Sequence, residues 1–268
     1  MTNADNALLS VRGLTIALPR GSDRPFAVQD ISFDIKPREI VCIVGESGSG
    51  KSMTANTIMG LLPDYLVPES GQILFQGGHL LAQPETALRS MRGKDVAMIF
   101  QEPLSALNPV MKVGRQIAEV LSTHDQYPGP ARDARVLDLL KFVGLPDPKS
   151  LYDAYPFALS GGQRQRVMIA MALALEPALL IADEPTTALD VTTQAQSLDL
   201  LKRLVGEDGM GMLFITHDLA VVAGLADRVA IMRQGEIVET GETGAVFRTM
   251  RHPYTRALFT ASSHVPDR

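Results

Sequence analysis

Residues 40–52 read Ile40-Val41-Cys42-Ile43-Val44-Gly45-Glu46-Ser47-Gly48-Ser49-Gly50-Lys51-Ser52. The segment Ile40–Val44 is apolar without interruption, which is typical of a strand buried on both faces of a parallel sheet. A loop rich in glycine and serine, Gly45–Ser52, follows it, and a helical pattern runs from about Lys51 to Leu61. A buried strand, a glycine-rich loop and a helix in this order indicate a loop whose backbone faces a bound group.

The loop Gly45–Ser52 matches G-x-x-x-x-G-K-[ST], a pattern that cradles phosphate. Glycines let the backbone turn so that successive N–H groups point at phosphate oxygens, and the helix N-terminus adds partial positive charge. Lys51 would reach the β- and γ-phosphates, and the Ser52 hydroxyl would ligate Mg²⁺. The preceding strand makes a chance match in a surface loop the weaker explanation. The predicted nucleotide-binding residues here are Gly45, Glu46, Ser47, Gly48, Ser49, Gly50, Lys51 and Ser52.

The rest of the chain predicts an α/β fold. Near its start, Leu8–Ala17 and Val28–Ile35 alternate apolar and polar residues and predict an antiparallel β region. Residues 103–157 are helical in pattern and rich in proline, which predicts an inserted α-helical subdomain. From about Gly161 strands and helices alternate, which favours a mostly parallel sheet flanked by helices. Further strands are predicted at Gln72–Phe75, Val96–Phe100, Ala178–Asp183, Met212–Thr216 and Val229–Met232, and helices at Val113–Ser122, Ala131–Val143, Gly161–Leu175, Val191–Val205 and Leu219–Leu225.

Composition excludes several classes of protein. The 268 residues carry a formal net charge of -5, so no general nucleic-acid-binding surface and no nucleic-acid partner are expected. Cys42 is the only cysteine, which rules out a disulfide within the chain and predicts a small buried core residue. No apolar run approaches the ~18 residues of a membrane span, and no basic segment followed by an apolar one suggests a signal peptide.

Two carboxylates follow the predicted strand Ala178–Asp183. Asp183, at a strand end beside the phosphate loop, could hold Mg²⁺ directly or through water. Glu184 would point elsewhere and could orient or deprotonate a water molecule. A solvated acidic strand end is the alternative, and the phosphate loop favours the functional interpretation. His217 follows the strand Met212–Thr216, on the edge where open α/β sheets bind ligands, although a lone histidine is usually structural.

A second loop of small residues precedes a basic helix start. Leu159-Ser160-Gly161-Gly162-Gln163 is followed by Arg164-Gln165-Arg166. Serine and two glycines at a helix N-terminus make a second candidate anion site. Because this site is far along the chain from Gly45–Ser52, one polypeptide carries two half-sites for phosphate, which is unusual for a simple kinase or GTPase.

Together these motifs resemble the ABC ATPase family, from about Leu8 to Leu258. In that family the signature segment of one subunit closes over the ATP held by a second subunit in a head-to-tail dimer. The resemblance therefore implies ATP and Mg²⁺ as cofactors and a second ABC ATPase subunit, identical or related, as a partner. It implies one ABC ATPase domain at 1–262, with a P-loop NTPase core at 1–102 and 158–250, a helical subdomain at 103–157 and a tail at 251–268.

The resemblance also assigns roles residue by residue. Glu184 matches the catalytic glutamate and His217 the switch histidine at the γ-phosphate, and Lys51 is the third residue implied in catalysis. Gln101 matches the Q-loop glutamine, which touches Mg²⁺ and senses the helical region, and Asp183 matches the Walker B aspartate. The implied metal ligands are Ser52, Gln101 and Asp183, and the further nucleotide-binding residues are Ser160, Gly161, Gly162 and Gln163 of the signature and Asp190 of the D-loop Ala188-Leu189-Asp190.

Three longer segments resemble the ATPase subunits of bacterial dipeptide, oligopeptide and nickel importers. They are Phe100–Pro109, the run from Glu184 to Gln196, and His252–Leu258. The resemblance implies two transmembrane permease subunits, an extracytoplasmic solute-binding protein as an indirect partner, and a peripheral position on the cytoplasmic face of the bacterial inner membrane. Peptide is the expected cargo and nickel the alternative. Other subunits usually select the cargo, so this chain carries little direct information on it. From the residues alone, His252–Leu258 predicts an amphipathic closing helix.

The sequence departs from the family pattern in two places. Many ABC ATPases stack adenine on an aromatic residue between the first two strands. Phe26 is the only aromatic residue there, and the sequence does not identify which residue would stack on adenine. Peptide-importer ATPases often carry a cysteine-rich segment beyond the position of His252–Leu258, and this sequence has no cysteine there. A shorter family member, a truncated chain and one half of a tandem protein remain alternatives.

Two other functions compete with transport. An ABC ATPase of DNA repair would carry long coiled coils between its motifs, and one of translation would carry two cassettes. The sequence shows neither feature, which disfavours both. A regulatory module that does not hydrolyse ATP is disfavoured by Glu184 and His217, and a steady-state ATPase assay separates it from an enzyme.

Overall fold

The computed structural model describes residues 6–102, 106–124, 127–186 and 191–262. Strands in these residues form two sheets. In chain order they are β1 (Leu9–Ala17), β2 (Phe26–Ile35), β3 (Ile40–Val44), β4 (Pro68–Phe75), β5 (Gly78–His79), β6 (Val96–Ile99), β7 (Leu179–Asp183), β8 (Gly211–Thr216), β9 (Arg228–Arg233) and β10 (Glu236–Glu242).

The larger sheet has the spatial order β10-β9-β3-β8-β7-β6. Five of these strands run parallel, and β10 is an antiparallel edge strand paired with β9. The smaller sheet, in the order β2-β1-β4-β5, is antiparallel throughout. The predicted combination of a mainly parallel sheet with an N-terminal antiparallel region is therefore confirmed.

Helices cover the larger sheet and build the insertion. They are α1 (Lys51–Ile58), α2 (Glu85–Met91), α3 (Val113–Thr123), α4 (Pro130–Phe142), α5 (Pro148–Asp153), α6 (Gly161–Ala172), α7 (Val191–Asp208), α8 (Leu219–Leu225), α9 (Thr243–Thr249) and α10 (Pro253–Ser262). Short 3₁₀ turns lie at Leu80–Ala82 and Pro156–Ala158.

The helical insertion is a packed unit. Helices α3, α4 and α5 contact one another, and α3 and α4 also contact α6, which lies against β6. The side chains of Val113, Ile117 and Leu121 on α3 and of Val136 and Leu140 on α4 are fully buried. This spacing of three or four residues is the apolar stripe that predicted both helices.

Strand β3 is shared by two hydrophobic cores. Ile40, Cys42 and Val44 face the core that includes the helical insertion, whereas Val41 and Ile43 face the core under the antiparallel sheet. Burial on both faces explains why Ile40–Val44 has no polar residue. Cys42 is fully buried, and burial, followed by the charge of Asp227, raises the pKa of its thiol. Cys42 is thus the core residue that the sequence predicted.

The structure corrects several boundaries. The predicted strand Val96–Phe100 ends at Ile99, because Phe100 turns outward and is exposed. The sequence reasoning missed the edge strand Glu236–Glu242, whose acidic residues hide the strand pattern. Its signal was the hairpin turn Gln234-Gly235, with φ values of 49° and 92°, as a two-residue turn of type I′ requires. Within the described residues, no helix has both the length and the apolar composition needed to cross a membrane.

Candidate functional site

The predicted phosphate loop lies at the carboxyl edge of the larger sheet, between β3 and α1. Gly50 precedes α1 with φ of 109°, and a Cβ there would lie 2.5 Å from the carbonyl oxygen of Ala27. A Cβ on Gly45 would lie 2.0 Å from the carbonyl oxygen of Met232. The loop therefore rests directly on the backbone of β2 and β9, and only glycine fits at these two positions.

Lys51 projects back into the loop. Its Nζ atom donates hydrogen bonds to the carbonyl oxygens of Gly45 at 2.8 Å and Glu46 at 2.9 Å. Burial lowers the pKa of this ammonium group, while the charges of Glu184, Asp183 and Glu46 act in the opposite direction. A buried cation is thus held by loop carbonyls in a position where an anion would be a stronger partner.

Asp183 and Ser52 form a pair at the head of the loop. The Ser52 hydroxyl donates a hydrogen bond to Oδ1 of Asp183 at 3.1 Å. Asp183 is the last residue of β7 and is buried. Burial raises the pKa of its carboxyl group; the Ser52 hydrogen bond opposes the rise, and the neighbouring Glu184 charge adds to it. A hydroxyl and a carboxylate at this distance are the oxygen donors that Mg²⁺ prefers.

Three polar side chains meet beside this pair. Oε2 of Glu184 accepts a hydrogen bond from Nε2 of Gln101 at 3.2 Å, and it lies 3.3 Å from Nδ1 of His217. The three residues follow β6, β7 and β8, which are neighbours in the sheet. Glu184 has φ of 46°, in the left-handed region that is rare for a side chain of this type. The arrangement places a carboxylate where it can accept a proton.

The residues present fit a magnesium nucleotide. A Cβ on Gly48 would meet nothing within 4 Å, so the rim of the loop is open. The Ser49 hydroxyl is buried and has no hydrogen-bond partner among the described residues. In the same residues, no group of three or more His, Cys, Asp or Glu side chains could hold a metal ion. One carboxylate and one hydroxyl fit Mg²⁺, which is usually completed by water and substrate phosphates.

The second predicted anion site lies apart from these residues. Ser160 caps α6: its hydroxyl accepts from the N–H of Gln163 at 3.2 Å, and Oε1 of Gln163 accepts from the N–H of Ser160 at 2.9 Å. Ser160 and Gly161 are exposed. In the described parts of the chain, neither Ser160 nor Gln163 bonds to the phosphate loop. The first N–H groups of a helix have no intrahelical partners, so this exposed end of α6 remains a candidate anion site.

The structure adds two contacts to the loop that sequence reasoning missed. Arg24, in the turn between β1 and β2, donates a hydrogen bond to the carbonyl of Gly48. Tyr254, at the start of α10, accepts one from the N–H of Glu46 at 3.2 Å. Phe26, the aromatic residue considered for adenine stacking, is half-buried in β2 opposite Ala17. Asp190, assigned to the D-loop, lies outside the described residues.

The geometry of this site agrees with the protein family that the sequence matches. The family model described as ABC transporter matches residues 28–187, more than half of the chain. This chain belongs to the ABC transporter family. As expected for this family, the oligopeptide transport ATP-binding protein OppD of Bacillus subtilis is 49% identical over 254 residues, which cover 94% of this chain and 70% of OppD.

Two further proteins are similar to this ABC protein. The peptidoglycan transport ATP-binding protein YejF of Agrobacterium fabrum is 55% identical over 255 residues, which cover 95% of this chain and 47% of YejF. The chain therefore spans about half the length of that relative. The cassette MJ0796, solved as a dimer in a post-hydrolysis state with ADP and Pi, superposes with a TM-score of 0.78 and 30% identity, covering 88% of this chain and 98% of MJ0796.

Proposed function

We propose that this chain is the ATP-binding and ATP-hydrolysing subunit of an importer for di- or oligopeptides in the bacterial inner membrane. The observation that carries the proposal is the convergence of Gln101, Glu184 and His217 beside the Ser52–Asp183 pair and the phosphate loop. These groups supply a metal site, a base and a phosphate cradle at one sheet edge. The peptide cargo rests on relatives named for oligopeptide and peptidoglycan transport.

The roles follow from position and chemistry. Residues Gly45–Ser52 bind the phosphates of ATP, with Lys51 moving from the loop carbonyls to phosphate oxygens. Ser52 and Asp183, with Gln101, would hold Mg²⁺, which when bound would neutralise charge on the phosphate oxygens. Glu184 orients a water molecule and accepts its proton.

Two further groups complete the site. His217 donates to the terminal phosphate and so stabilises the charge that develops there. The open N-terminus of α6, at Ser160–Gln163, covers the phosphates held by a second cassette, because within one chain it does not reach the phosphate loop.

We further propose that the chain is divided into a core at 1–102 and 158–250, a helical insertion at 103–157 and a tail at 251–268. Asp190, which the resemblance assigns to the D-loop, is proposed as a further nucleotide-binding residue.

A permease docking site is proposed in a groove beside Gln101. The groove lies between the β6 end, α3 and α6, and it includes the exposed aromatic ring of Phe100. Methionine side chains line it, which suits an adaptable surface for a helix. Because Phe100 is followed by Gln101, whose amide donates to Glu184, a permease helix seated here would act on the catalytic carboxylate. The other lining residues that matter are Leu61, Met98, Met168 and Met171.

Reconstitution tests the proposal. The chain is purified with its permease subunits in lipid vesicles, and ATP hydrolysis is measured with the solute-binding protein and either peptides or nickel. Peptides are expected to stimulate hydrolysis several-fold. Stimulation by nickel alone would transfer the cargo assignment to nickel, and absence of any ATP hydrolysis would contradict the enzyme assignment. A peripheral position on the cytoplasmic face is tested in the same vesicles by access of added ATP.

A further inference from the structure

The helix α10 touches the phosphate loop through one side chain. The Tyr254 hydroxyl accepts a hydrogen bond from the N–H of Glu46 at 3.2 Å, across 208 positions of sequence. Tyr254 belongs to His252–Leu258, a segment to which the importer resemblance gave no part in ATP chemistry. The contact joins this segment to the second residue of the loop Gly45–Ser52.

The peptide group between Gly45 and Glu46 is held from both sides. Lys51 donates to its carbonyl oxygen at 2.8 Å, and Tyr254 accepts from its N–H. In the described part of the chain these are the side chains that hydrogen-bond to this peptide. When Lys51 moves to nucleotide phosphates, the carbonyl loses its partner, and Tyr254 is the side chain that still fixes the orientation of the peptide.

Tyr254 is itself held firmly. Its side chain is buried, and the guanidinium carbon of Arg233, at the end of β9, lies 4.9 Å from the ring centroid. Burial raises the pKa of the phenol; the hydrogen bond from the Glu46 N–H opposes the rise, and the Glu46 carboxylate adds to it. The hydroxyl therefore stays protonated at neutral pH, with an oxygen lone pair available to the loop.

The edge strand β10 anchors the start of α10. The carboxylate of Glu239 accepts from the N–H groups of Arg251 at 3.0 Å and His252 at 3.1 Å, and from the hydroxyl of Thr255 at 2.6 Å. Nδ1 of His252 in turn accepts from the N–H of Tyr254 at 3.1 Å. Thr255 is fully buried. These bonds fix Tyr254 relative to the sheet that carries the loop.

We propose that Tyr254 is a positioning residue for ATP, which acts through the N–H of Glu46. It keeps the first turn of the phosphate loop in its binding geometry while Lys51 transfers from loop carbonyls to phosphates. The proposal rests on the proposed ATPase function. The competing explanation is that α10 only closes the hydrophobic core, and it predicts a loss of stability without any effect on nucleotide affinity.

The test removes single hydroxyl groups from the full chain. Tyr254→Phe deletes the group that contacts Glu46, and Tyr152→Phe deletes a matched hydroxyl that donates to Asp133 at 2.8 Å in the helical insertion. Tyr254→Phe is expected to raise both the Kd for MgATP and KM by about 3- to 10-fold, with kcat changed less than about twofold, as for the loss of one hydrogen bond. Tyr152→Phe should leave all three unchanged.

Substitutions at Glu46 then test the route. Glu46→Pro removes the N–H, whereas Glu46→Ala keeps the N–H and removes the carboxylate. Tyr254→Phe should have no further effect on Kd in the Glu46→Pro chain and its full effect in the Glu46→Ala chain. If the Glu46→Pro chain does not fold, the inference is still decided by the effect of Tyr254→Phe on Kd, measured alone and in the Glu46→Ala chain.

Three results would overturn the inference. One is a Tyr254→Phe chain that melts at lower temperature but binds MgATP like the natural chain. Another is an effect of Tyr254→Phe that persists in full after Glu46→Pro, since Tyr254 would then act by another route. The third is absence of the effect in the Glu46→Ala chain. Failure of the natural chain to bind MgATP would instead contradict the proposed function itself.

Discussion

The carboxylate of Glu184 occupies its place through an uncommon backbone conformation. With φ of 46°, Glu184 lies in a left-handed backbone region that costs a residue other than glycine of order 1 kcal/mol or more. Glu184 directly follows β7, and Asp183 faces Ser52 while Glu184 faces Gln101 and His217. Two adjacent carboxylates thus have different partners, as the two roles proposed for them require.

Glu184→Gln tests the proposed role of this carboxylate. Glutamine keeps the shape and can still contact Gln101, but it cannot accept a proton. The Kd for MgATP should stay within about threefold, and single-turnover phosphate release should fall by at least ~10²-fold. Glu236→Gln, on the exposed edge strand, is the matched control and should change neither value. Retained phosphate release in Glu184→Gln would remove Glu184 from catalysis.

Asp183→Asn tests the cost of burying a carboxylate before Mg²⁺ arrives. Because the folded state raises the pKa of Asp183, stability falls as pH rises from the ordinary value near 3.9 through the raised one, and the loss persists at pH 7. Without nucleotide, Asp183→Asn should therefore raise Tm at pH 7, and the difference should disappear in acid. It should also lose the stabilisation by MgATP. A lower Tm at pH 7 would contradict this account.

Elements, rather than single residues, bring the site together. Parallel strands end at the same edge of a sheet, so the residues after β6, β7 and β8 become neighbours, although Gln101 and His217 are far apart in sequence. The loop after β3 lies on the other side of β8. Each functional group is thus placed by the strand that precedes it.

The groove between β6, α3 and α6 yields a prediction about docking. Leu61 is exposed and lines the groove, so Leu61→Lys should leave folding and ATP binding intact while placing a charge where an apolar permease helix would sit. Recovery of the permease subunits with the tagged chain should fall several-fold. Val67→Lys, also exposed but outside this groove, is the control. Equal recovery with both variants would place the permease elsewhere.

At the scale of the whole molecule, the two proposed half-sites do not meet within the described residues of one chain. The phosphate loop lies at one edge of the sheet, and the N-terminus of α6 faces solvent. The relative MJ0796 was solved as a dimer, which agrees with sites shared between two cassettes. An isolated monomer should consequently bind ATP but hydrolyse it slowly.

Mixing two inactive variants tests the shared site. Lys51→Ala disables the phosphate loop. Gly161→Asp adds negative charge at the N-terminus of α6, where a Cβ meets nothing within 4 Å and an acidic residue suits the helix dipole. Each variant alone should lack ATPase activity, but a heterodimer retains one intact site. Mixing should restore at least about a tenth of the natural activity, measured as phosphate release. No recovery, with both variants folded and associating, would contradict a shared site.

Local patterns determined much of this protein. The run Ile40–Ser52 predicted the buried strand, the loop and the helix, because burial on both faces and phosphate cradling each demand particular residue types in a fixed order. The helices α3 and α4 of the insertion followed from their apolar stripes in the same way, whereas α5, which has no buried residue, was not predicted. The edge strand Glu236–Glu242 escaped prediction, since a strand that is only half-buried does not need an apolar pattern.

The sequence alone therefore determined the α/β fold class, the phosphate loop and the residue types available for its chemistry, because these depend on neighbours along the chain. Only the tertiary structure decided that Glu184 lies between Gln101 and His217, that Ser160–Gln163 stands apart from the loop, and that Tyr254 reaches Glu46. Such contacts depend on strand order and on how the last helix packs. Those are properties of long-range burial that no local pattern records.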